Sequence, residues 1–281
     1  MFINHWHTAP EKVYDKDAPD KGTLKEIISI MRQLDISGAL AFAPFVELMP
    51  YDDEYKTNMK LNNERECNKW LYETLKEYPS IYGFVTVNPA NPAAVDILEE
   101  YIHKGFLGAK IHPPVFRIKI NEPVYDNFYS CAEELNVPVL FHTGSHGWQV
   151  DNYAPGLIGD IARRHSDLKI ILEHTGGPDF FNEAVRVLRE NPNCYTGISS
   201  TLRPTCEDGK SRNISCLGKE KIIFLIETFG SERIIYGSDY PNNYLEDIRA
   251  DINFIQNLKI SNKDKNNILG KSLTKILRKS I

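Results

Sequence analysis

The chain has 281 residues, of which 42% are hydrophobic and 25% are charged, a balance typical of a globular protein. Its length suits one (β/α)₈ barrel, a fold that needs about 250 residues, and is long for a single sandwich or helix bundle. The net charge of −5 excludes a broad basic surface, so we expect a small-molecule substrate and no nucleic-acid partner.

Short apolar runs that end in polar or turn residues recur along the whole chain, with helical spacing between most of them. This alternation predicts βα units. The predicted strands are residues 1–7, 38–44, 81–88, 108–112, 137–142, 169–174, 194–199 and 234–239. Eight strands alternating with helices predict a single-domain α/β protein, a (β/α)8 TIM barrel over residues 1–281, with a doubly wound open sheet as the competing architecture.

Apolar residues between the strands recur at the spacing of amphipathic helices. The clearest sets are Leu24, Ile27, Ile28, Met31 and Leu34, then Val95, Leu98 and Ile102, then Ala184, Val185, Val187 and Leu188, then Ile222, Phe224, Leu225 and Ile226. Two long insertions, residues 45–62 and 200–215, follow the second and seventh strands, at the barrel face where loops shape substrate pockets. Residues 261–281 indicate one or two terminal helices.

Residues capable of metal binding or proton transfer cluster at the ends of the predicted strands. They are His5 and His7 on the first strand, Lys110 and His112 on the fourth, His142 on the fifth, His174 on the sixth and Asp239 on the eighth. Strand side chains alternate between faces, so His5 and His7 point the same way. Imidazole and carboxylate groups suit zinc, iron or manganese, and a catalytic site leaves a position open for water. The set therefore predicts a metal site, whereas His103 and His165, both predicted on helices, are more typical of structural residues.

Four motifs, in this order along nearly the whole chain, resemble the amidohydrolase superfamily and specifically its branch of amidohydrolase-related decarboxylases and lactonases. They are Asn4-His5-Trp6-His7, Val139-Leu140-Phe141-His142-Thr143-Gly144, Leu172-Glu173-His174-Thr175-Gly176-Gly177-Pro178 and Ile235-Tyr236-Gly237-Ser238-Asp239-Tyr240-Pro241. Residues 268–272 also look like the closing helix of that family.

The resemblance implies one divalent metal ion, usually zinc, held by four side chains. These ligands are His5, His7, His142 and Asp239. His174 would then flank the water that the metal activates, and Asp239 would be both ligand and proton acceptor. These two residues are the predicted catalytic groups. Some relatives perform similar chemistry without a metal.

Lys110 has three readings: a carboxylated lysine that bridges two metals, a cation that polarises the substrate, or a member of a buried ion pair. The surrounding Gly108-Ala109-Lys110-Ile111-His112-Pro113 resembles the branch with one metal, so we expect Lys110 to be uncarboxylated. His112 lies on the same strand face and is predicted either to contact substrate or to hydrogen-bond a ligand.

Arg203, in the seventh loop, is a candidate to bind a substrate carboxylate through its fork of donors, with a solvated loop arginine as the alternative. Trp148, Tyr51, Tyr55 and Tyr240 are candidates to wall a flat or aromatic pocket, with ordinary packing as the alternative.

The leading function is metal-dependent hydrolysis of a small, anionic, carboxylated lactone, ester or amide. The first alternative is nonoxidative decarboxylation of an unsaturated or aromatic acid, and the second is a catalytically silent barrel that acts as a binding protein. The sequence leaves a homodimer open. Five cysteines without CxxC spacing, no secretory leader and no apolar run of about 20 residues predict a cytoplasmic protein that does not cross a membrane.

Overall fold

A computed structural model of the chain describes residues 1–15, 17–45, 60–144, 149–202 and 216–277. Within these residues, nine parallel strands surrounded by helices form a nearly closed single-domain barrel. The strands are β1 Phe2–His7, β2 Gly38–Phe42, β3 Ile81–Thr86, β4 Ala109–Ile111, β5 Val139–His142, β6 Ile170–Glu173, β7 Cys194–Gly197, β8 Ile234–Ile235 and β9 Gly237–Tyr240. Each of β1 to β7 pairs with the next strand in the chain, and β9 pairs with β1.

The eight predicted strands are confirmed, and most are shorter at their ends than the sequence indicates. The eighth is divided at Tyr236 into β8, which pairs with β7, and β9, which pairs with β1. Pairing of β1 with β9 joins the first and last strands, which excludes the doubly wound open sheet.

Helices follow the strands as the spacing of apolar residues predicts. The helices are α1 Leu24–Gln33, α2 Glu64–Leu75, α3 Ala94–His103, α4 Pro113–Phe116, α5 Asp126–Glu134, α6 Pro155–Arg164, α7 Gly177–Glu190, α8 Gly218–Phe229, α9 Leu245–Asn257, α10 Asn262–Asn266 and α11 Ser272–Ile276. In α1, Leu24, Ile27 and Met31 are buried, and the Thr23 side chain caps the first turn by accepting from the backbone N–H of Glu26. Among the described helices, none is long and apolar enough to cross a membrane.

The floor of the barrel is closed by the last helix. Nine apolar side chains make up this interior layer: Phe2, Leu40, Phe42, Phe84, Leu140, Ile171, Ile235, Leu273 and Ile276. The last two belong to α11, so the C-terminal segment fills the end of the barrel at which the strands begin. The opposite end, where the strands finish, is therefore left for the polar residues.

The segment before α11 is tied to the strand that closes the barrel. The carbonyl oxygen of Ile268 accepts a hydrogen bond of 3.0 Å from the backbone N–H of Tyr236, the residue between β8 and β9. Two residues later, Gly270 has a φ of 148° and lies against the backbone of Phe2. A Cβ atom on Gly270 would lie 2.6 Å from the Phe2 nitrogen, so only glycine fits there.

We therefore predict that Gly270→Ala lowers the free energy of unfolding by roughly 2–4 kcal/mol, because it combines backbone strain with overpacking against a strand. The matched control is Gly105→Ala, since Gly105 has a φ of 104° but open space around its Cβ position. Gly105→Ala therefore has the backbone strain without the overpacking, and it should lower the free energy of unfolding by about 1–2 kcal/mol. Urea unfolding of both variants checks the difference, and equal losses would contradict the contact with β1.

Candidate metal centre at the mouth of the barrel

The end of β1 departs from regular strand geometry at His5. Because Phe2 lies in the barrel interior, strict alternation would turn His5 and His7 outward. His5 instead has a φ of 64°, and the pairing of β1 with β2 shifts register between Ile3 and Trp6. This bulge changes the phase of the strand, so that His5 and His7 face the mouth and Trp6 packs on the outer side.

His5, His7 and Asp239 converge on one point. The Nε2 atoms of the two histidines are 2.9 Å apart, and Asp239 Oδ1 lies 3.2 Å from His5 Nε2 and 3.7 Å from His7 Nε2. One nitrogen or oxygen atom from each residue lies within 4.8 Å of the other two. Three of the four predicted ligands are thus brought together.

The charge state of the two histidines suits metal binding. Burial, together with the nearby Lys110 ammonium, holds the pKa of His5 well below its ordinary value and lowers the pKa of His7 to about 3, although Asp239 opposes the shift at His7. Both rings are therefore neutral at pH 7, the form that coordinates metals. In the tautomers that leave both Nε2 atoms unprotonated, the two imidazole nitrogens and the carboxylate oxygen direct lone pairs at one point, so the donor set fits a divalent metal ion.

Glu173 is a site residue that the sequence analysis did not single out. Its carboxylate is fully buried, and Oε2 lies 3.2 Å from His5 Nδ1 and 2.9 Å from the Asn4 amide nitrogen. Oε1 accepts a hydrogen bond of 2.7 Å from the Ser199 hydroxyl. The available signal was its place immediately before His174, in a motif otherwise made of apolar and small residues.

Asp239 is held on the side away from the histidines. Its Oδ2 accepts a hydrogen bond of 2.5 Å from the Ser200 hydroxyl, and the Asn243 amide donates to that same hydroxyl at 3.1 Å. Asp239 and Ser200 both have positive φ values, 55° and 56°. These backbone conformations are uncommon for residues other than glycine, and such residues concentrate at functional sites.

His174 follows β6 directly and also has a left-handed backbone, with a φ of 65°. Its Nδ1 lies 3.0 Å from the carbonyl oxygen of Ser199. A carbonyl oxygen can only accept, so Nδ1 carries the proton and the neutral ring has its lone pair on Nε2. The rings of His174 and His5 are 5.1 Å apart, which places His174 beside the three convergent residues.

His142, the fourth predicted ligand, lies beside this group, and its ligand atoms are not part of the 4.8 Å cluster. Its ring is 4.8 Å from that of His174 and stacks on that of His112 at 4.1 Å, with the two planes within 10°. The structure thus brings His112 and His142 to the same mouth. The roles of His142 as ligand and of His112 in substrate binding stay predictions.

Lys110 is buried in the mouth with no hydrogen-bond partner for its ammonium group among the described residues, and no carboxylate there lies within ion-pair distance. The reading of Lys110 as a member of a close ion pair is therefore wrong. Burial lowers its pKa to about 8, although the charges of Glu173 and Asp239 oppose the shift. The group nevertheless remains largely protonated at pH 7.

Tyr240 is not brought to the histidines. Its ring packs 5.7 Å from that of Trp6, on the outer side of the strands, and its hydroxyl contacts the Glu26 carboxylate and the backbone N–H of Gly22. The structure thus gives Tyr240 a packing role, the alternative that the sequence left open.

Other predicted residues lie elsewhere or outside the described residues. Arg203, Trp148, Tyr51 and Tyr55 lie outside them. His103 is on α3, as predicted, whereas His165 follows α6 and contacts Asp126 and Glu133.

Comparison with known proteins gives one family and many structural neighbours. A family model described as "Amidohydrolase" matches residues 6–278. No curated protein matches the chain.

Three solved structures illustrate the neighbours. A putative amidohydrolase from Staphylococcus aureus is 20% identical, with 99% of each chain covered and a TM-score of 0.72. A dihydroxybenzoic acid decarboxylase from Polaromonas, with bound manganese and the inhibitor 2-nitroresorcinol, is 16% identical over 99% of this chain and 96% of that one, with a TM-score of 0.66. A probable 2-pyrone-4,6-dicarboxylic acid hydrolase from Acinetobacter baumannii, with citric acid bound, is 16% identical over 99% and 98%, with a TM-score of 0.64. At these identities, the likeness shows the fold alone.

We predict that Lys110→Met makes the metal-free protein more stable at pH 7. The difference between a folded-state pKa of about 8 and the ordinary 10.5 corresponds to roughly 3 kcal/mol of destabilisation by the buried charge. Because the unfolded chain binds more protons between these two values, the stability of the parent rises as the pH rises from about 8 to 10.5, and the advantage of the variant disappears over that range.

Urea unfolding at pH 7 and pH 10.5 checks this. The matched control is Lys169→Met, because the Lys169 ammonium donates to the Asn136 side chain at 2.9 Å and to the Ile276 carbonyl at 3.2 Å. That control should lose stability at pH 7. A Lys110→Met variant that is less stable than the parent at pH 7 would show that the Lys110 ammonium is stabilised in the folded protein, which contradicts the prediction.

Proposed function

We propose that this chain, which belongs to the amidohydrolase family, hydrolyses a small carboxylated lactone, ester or amide with the help of one divalent metal ion. The family makes the chain an enzyme, either a hydrolase or a carboxy-lyase. The observation that carries the proposal is the convergence of His5, His7 and Asp239 beside a buried lysine ammonium. A catalytically silent binding barrel has no reason to keep such groups together, because burying them without partners destabilises the fold.

The metal would be held by His5, His7 and Asp239, with His142 as the fourth ligand. Zinc is our first assignment, and manganese, present in the Polaromonas relative, is the alternative for the same nitrogen and oxygen donors. A divalent ion bound there supplies a Lewis acid that lowers the pKa of a coordinated water and polarises a carbonyl oxygen. The protein side chains then have to orient the substrate and move protons.

His174 and Asp239 are the proposed proton-transfer groups. In neutral His174 the lone pair is on Nε2, since Nδ1 donates to the Ser199 carbonyl. Nε2 can therefore accept the proton of the attacking water and, once protonated, donate it to the leaving group or stabilise a developing oxyanion. The Ser200 hydroxyl orients the Asp239 carboxylate. That carboxylate is a second group that can accept the proton of the water.

Lys110 is the proposed recognition group for a substrate carboxylate. An ammonium group that is buried without a partner is stabilised strongly by an anion that enters the mouth. His112, stacked on His142 at the same mouth, would add a hydrogen bond to the substrate. Arg203 and Trp148 stay proposed substrate contacts from the loops, and the substrate is therefore expected to be a small organic anion.

Nonoxidative decarboxylation is the second candidate, and the apolar wall beside Lys110 favours it. The ammonium lies 5.2 Å from the Phe42 ring centroid, and Phe45 packs 5.2 Å from His112. A substrate carboxylate that lies against these rings and is not paired with the Lys110 ammonium loses hydration, and that loss favours breaking its C–C bond to release neutral carbon dioxide. A proton from a group such as His174 would then replace carbon dioxide on the carbon atom. The dihydroxybenzoic acid decarboxylase with the same fold makes aromatic acids the first substrates to try.

The metal assignment predicts that the purified protein binds about one divalent ion per chain and that His5→Ala removes the ion together with activity. Elemental analysis after gel filtration measures the content. His103→Ala is the control, because His103 lies on the exposed surface of α3 and its Nδ1 contacts the Glu99 carbonyl of the same helix. Full metal loading of His5→Ala would show that the ligands are misassigned.

For His174→Asn, we predict a nearly unchanged metal content and a turnover lowered by roughly 100-fold or more, the usual loss of a positioned acid or base. The assay offers lactones, esters and amides that carry a carboxylate, alongside hydroxylated aromatic acids. A new carboxylate product without carbon dioxide supports hydrolysis, whereas carbon dioxide release supports the second candidate. Parallel loss of metal and activity in His174→Asn would instead make His174 a ligand.

A further inference from the structure

We propose that Glu173 is the positioning residue of the metal centre and that it sets the tautomer of His5, with Ser199 as its support. The inference rests on the proposed metal site, but it concerns a buried carboxylate that neither binds the proposed metal nor takes part in the proposed proton transfers. Among the described residues, Glu173 is not part of the cluster of His5, His7 and Asp239, and its carboxylate contacts the Nδ1 side of the His5 ring, away from the Nε2 atom that faces the cluster.

All four contacts of the Glu173 carboxylate come from groups that can donate. Oε2 faces the Asn4 amide nitrogen at 2.9 Å and His5 Nδ1 at 3.2 Å. Oε1 faces the Ser199 hydroxyl at 2.7 Å and the Ser199 backbone N–H at 3.3 Å. A carboxylate with four donors around it is an acceptor at every contact, so Nδ1 of His5 must carry the proton.

This assignment leaves the lone pair of His5 on Nε2, the atom that faces His7 and Asp239. In the other tautomer, Nε2 would carry a proton and could not bind a metal until that proton was lost. A carboxylate behind a ligating histidine also increases the basicity of the ring and fixes its orientation, and loss of such a partner typically weakens metal binding roughly 10- to 100-fold.

The backbone around Glu173 is built to make room for its carboxylate. A Cβ atom on Gly197, at the end of β7, would lie 2.1 Å from Glu173 Oε1, so any other residue there would displace the group. The left-handed His174 that follows allows both consecutive side chains to face the interior. Gly197 on β7 and the left-handed backbone of His174 after β6 thus both make room for the Glu173 side chain.

Ser199 connects Glu173 to His174 as well. Its hydroxyl donates to Glu173 and lies 3.2 Å from Nδ1 of His174, while its carbonyl oxygen accepts from that nitrogen. Ser199 therefore holds Glu173 with its hydroxyl and His174 with its backbone. Replacing the hydroxyl should loosen Glu173 without removing the charge that faces His5.

The test measures metal affinity and histidine tautomers separately. Zinc affinity is measured by competition with a chromophoric chelator for the parent, Glu173→Gln, Ser199→Ala and the control Glu64→Gln. Glu64 is a suitable control because its carboxylate also accepts two hydrogen bonds, from the Asn88 backbone and the Asn91 side chain, away from the metal ligands. We expect a loss of roughly 10- to 100-fold for Glu173→Gln, a smaller loss for Ser199→Ala and no change for Glu64→Gln.

Nitrogen-15 NMR of the metal-free parent reads the tautomer directly, with the His5 signals assigned from their absence in His5→Asn. A proton on Nδ1 of His5 supports the proposal, whereas a proton on Nε2 overturns it, even if Glu173→Gln does not fold. Glu173→Gln with affinity within twofold of the parent, or Glu64→Gln with an equal loss, overturns it as well. A parent that binds no metal defeats the proposed function instead, and the NMR result still decides the role of Glu173.

Discussion

The arrangement of polar side chains at the mouth of this barrel depends on residues at the strand ends whose backbone adopts left-handed φ values instead of the extended conformation. His5, His174 and Asp239 all have left-handed φ values, and each is a predicted metal or catalytic residue. Such conformations cost about 1–3 kcal/mol each in residues other than glycine. Their effect is to let adjacent residues face the interior together, so that a narrow barrel presents more polar groups at one level than strict alternation allows.

Charge couples the parts of this site. Glu173 and Asp239 contribute two carboxylates, whereas Lys110 contributes one buried ammonium that contacts neither of them. A divalent ion held by His5, His7 and Asp239 would add positive charge near the Lys110 ammonium, so the loaded site would attract a substrate carboxylate more strongly than the metal-free site.

The sequence predicted the architecture and the residues of the mouth well, because strand periodicity and the positions of strand ends are local properties. The spacing of His5 and His7 indicated a shared face, but it did not indicate the bulge that turns this face inward, since that depends on how β1 registers with β2. Glu173 was missed because a carboxylate beside an expected catalytic residue has no pattern of its own. Tyr240 was proposed for the pocket, yet the structure shows its hydroxyl engaged with Glu26 and Gly22, across a long separation in sequence.

The contact of Gly270 with β1 and the pairing of β9 with β1 have a consequence for biosynthesis. His5 and His7 leave the ribosome before Asp239 and before the segment that contains Gly270. A nascent chain therefore presents the two proposed metal ligands on β1 while that strand still lacks β9 as a partner. The proposed metal would therefore be bound completely only once β9 pairs with β1 and brings Asp239 to the two histidines.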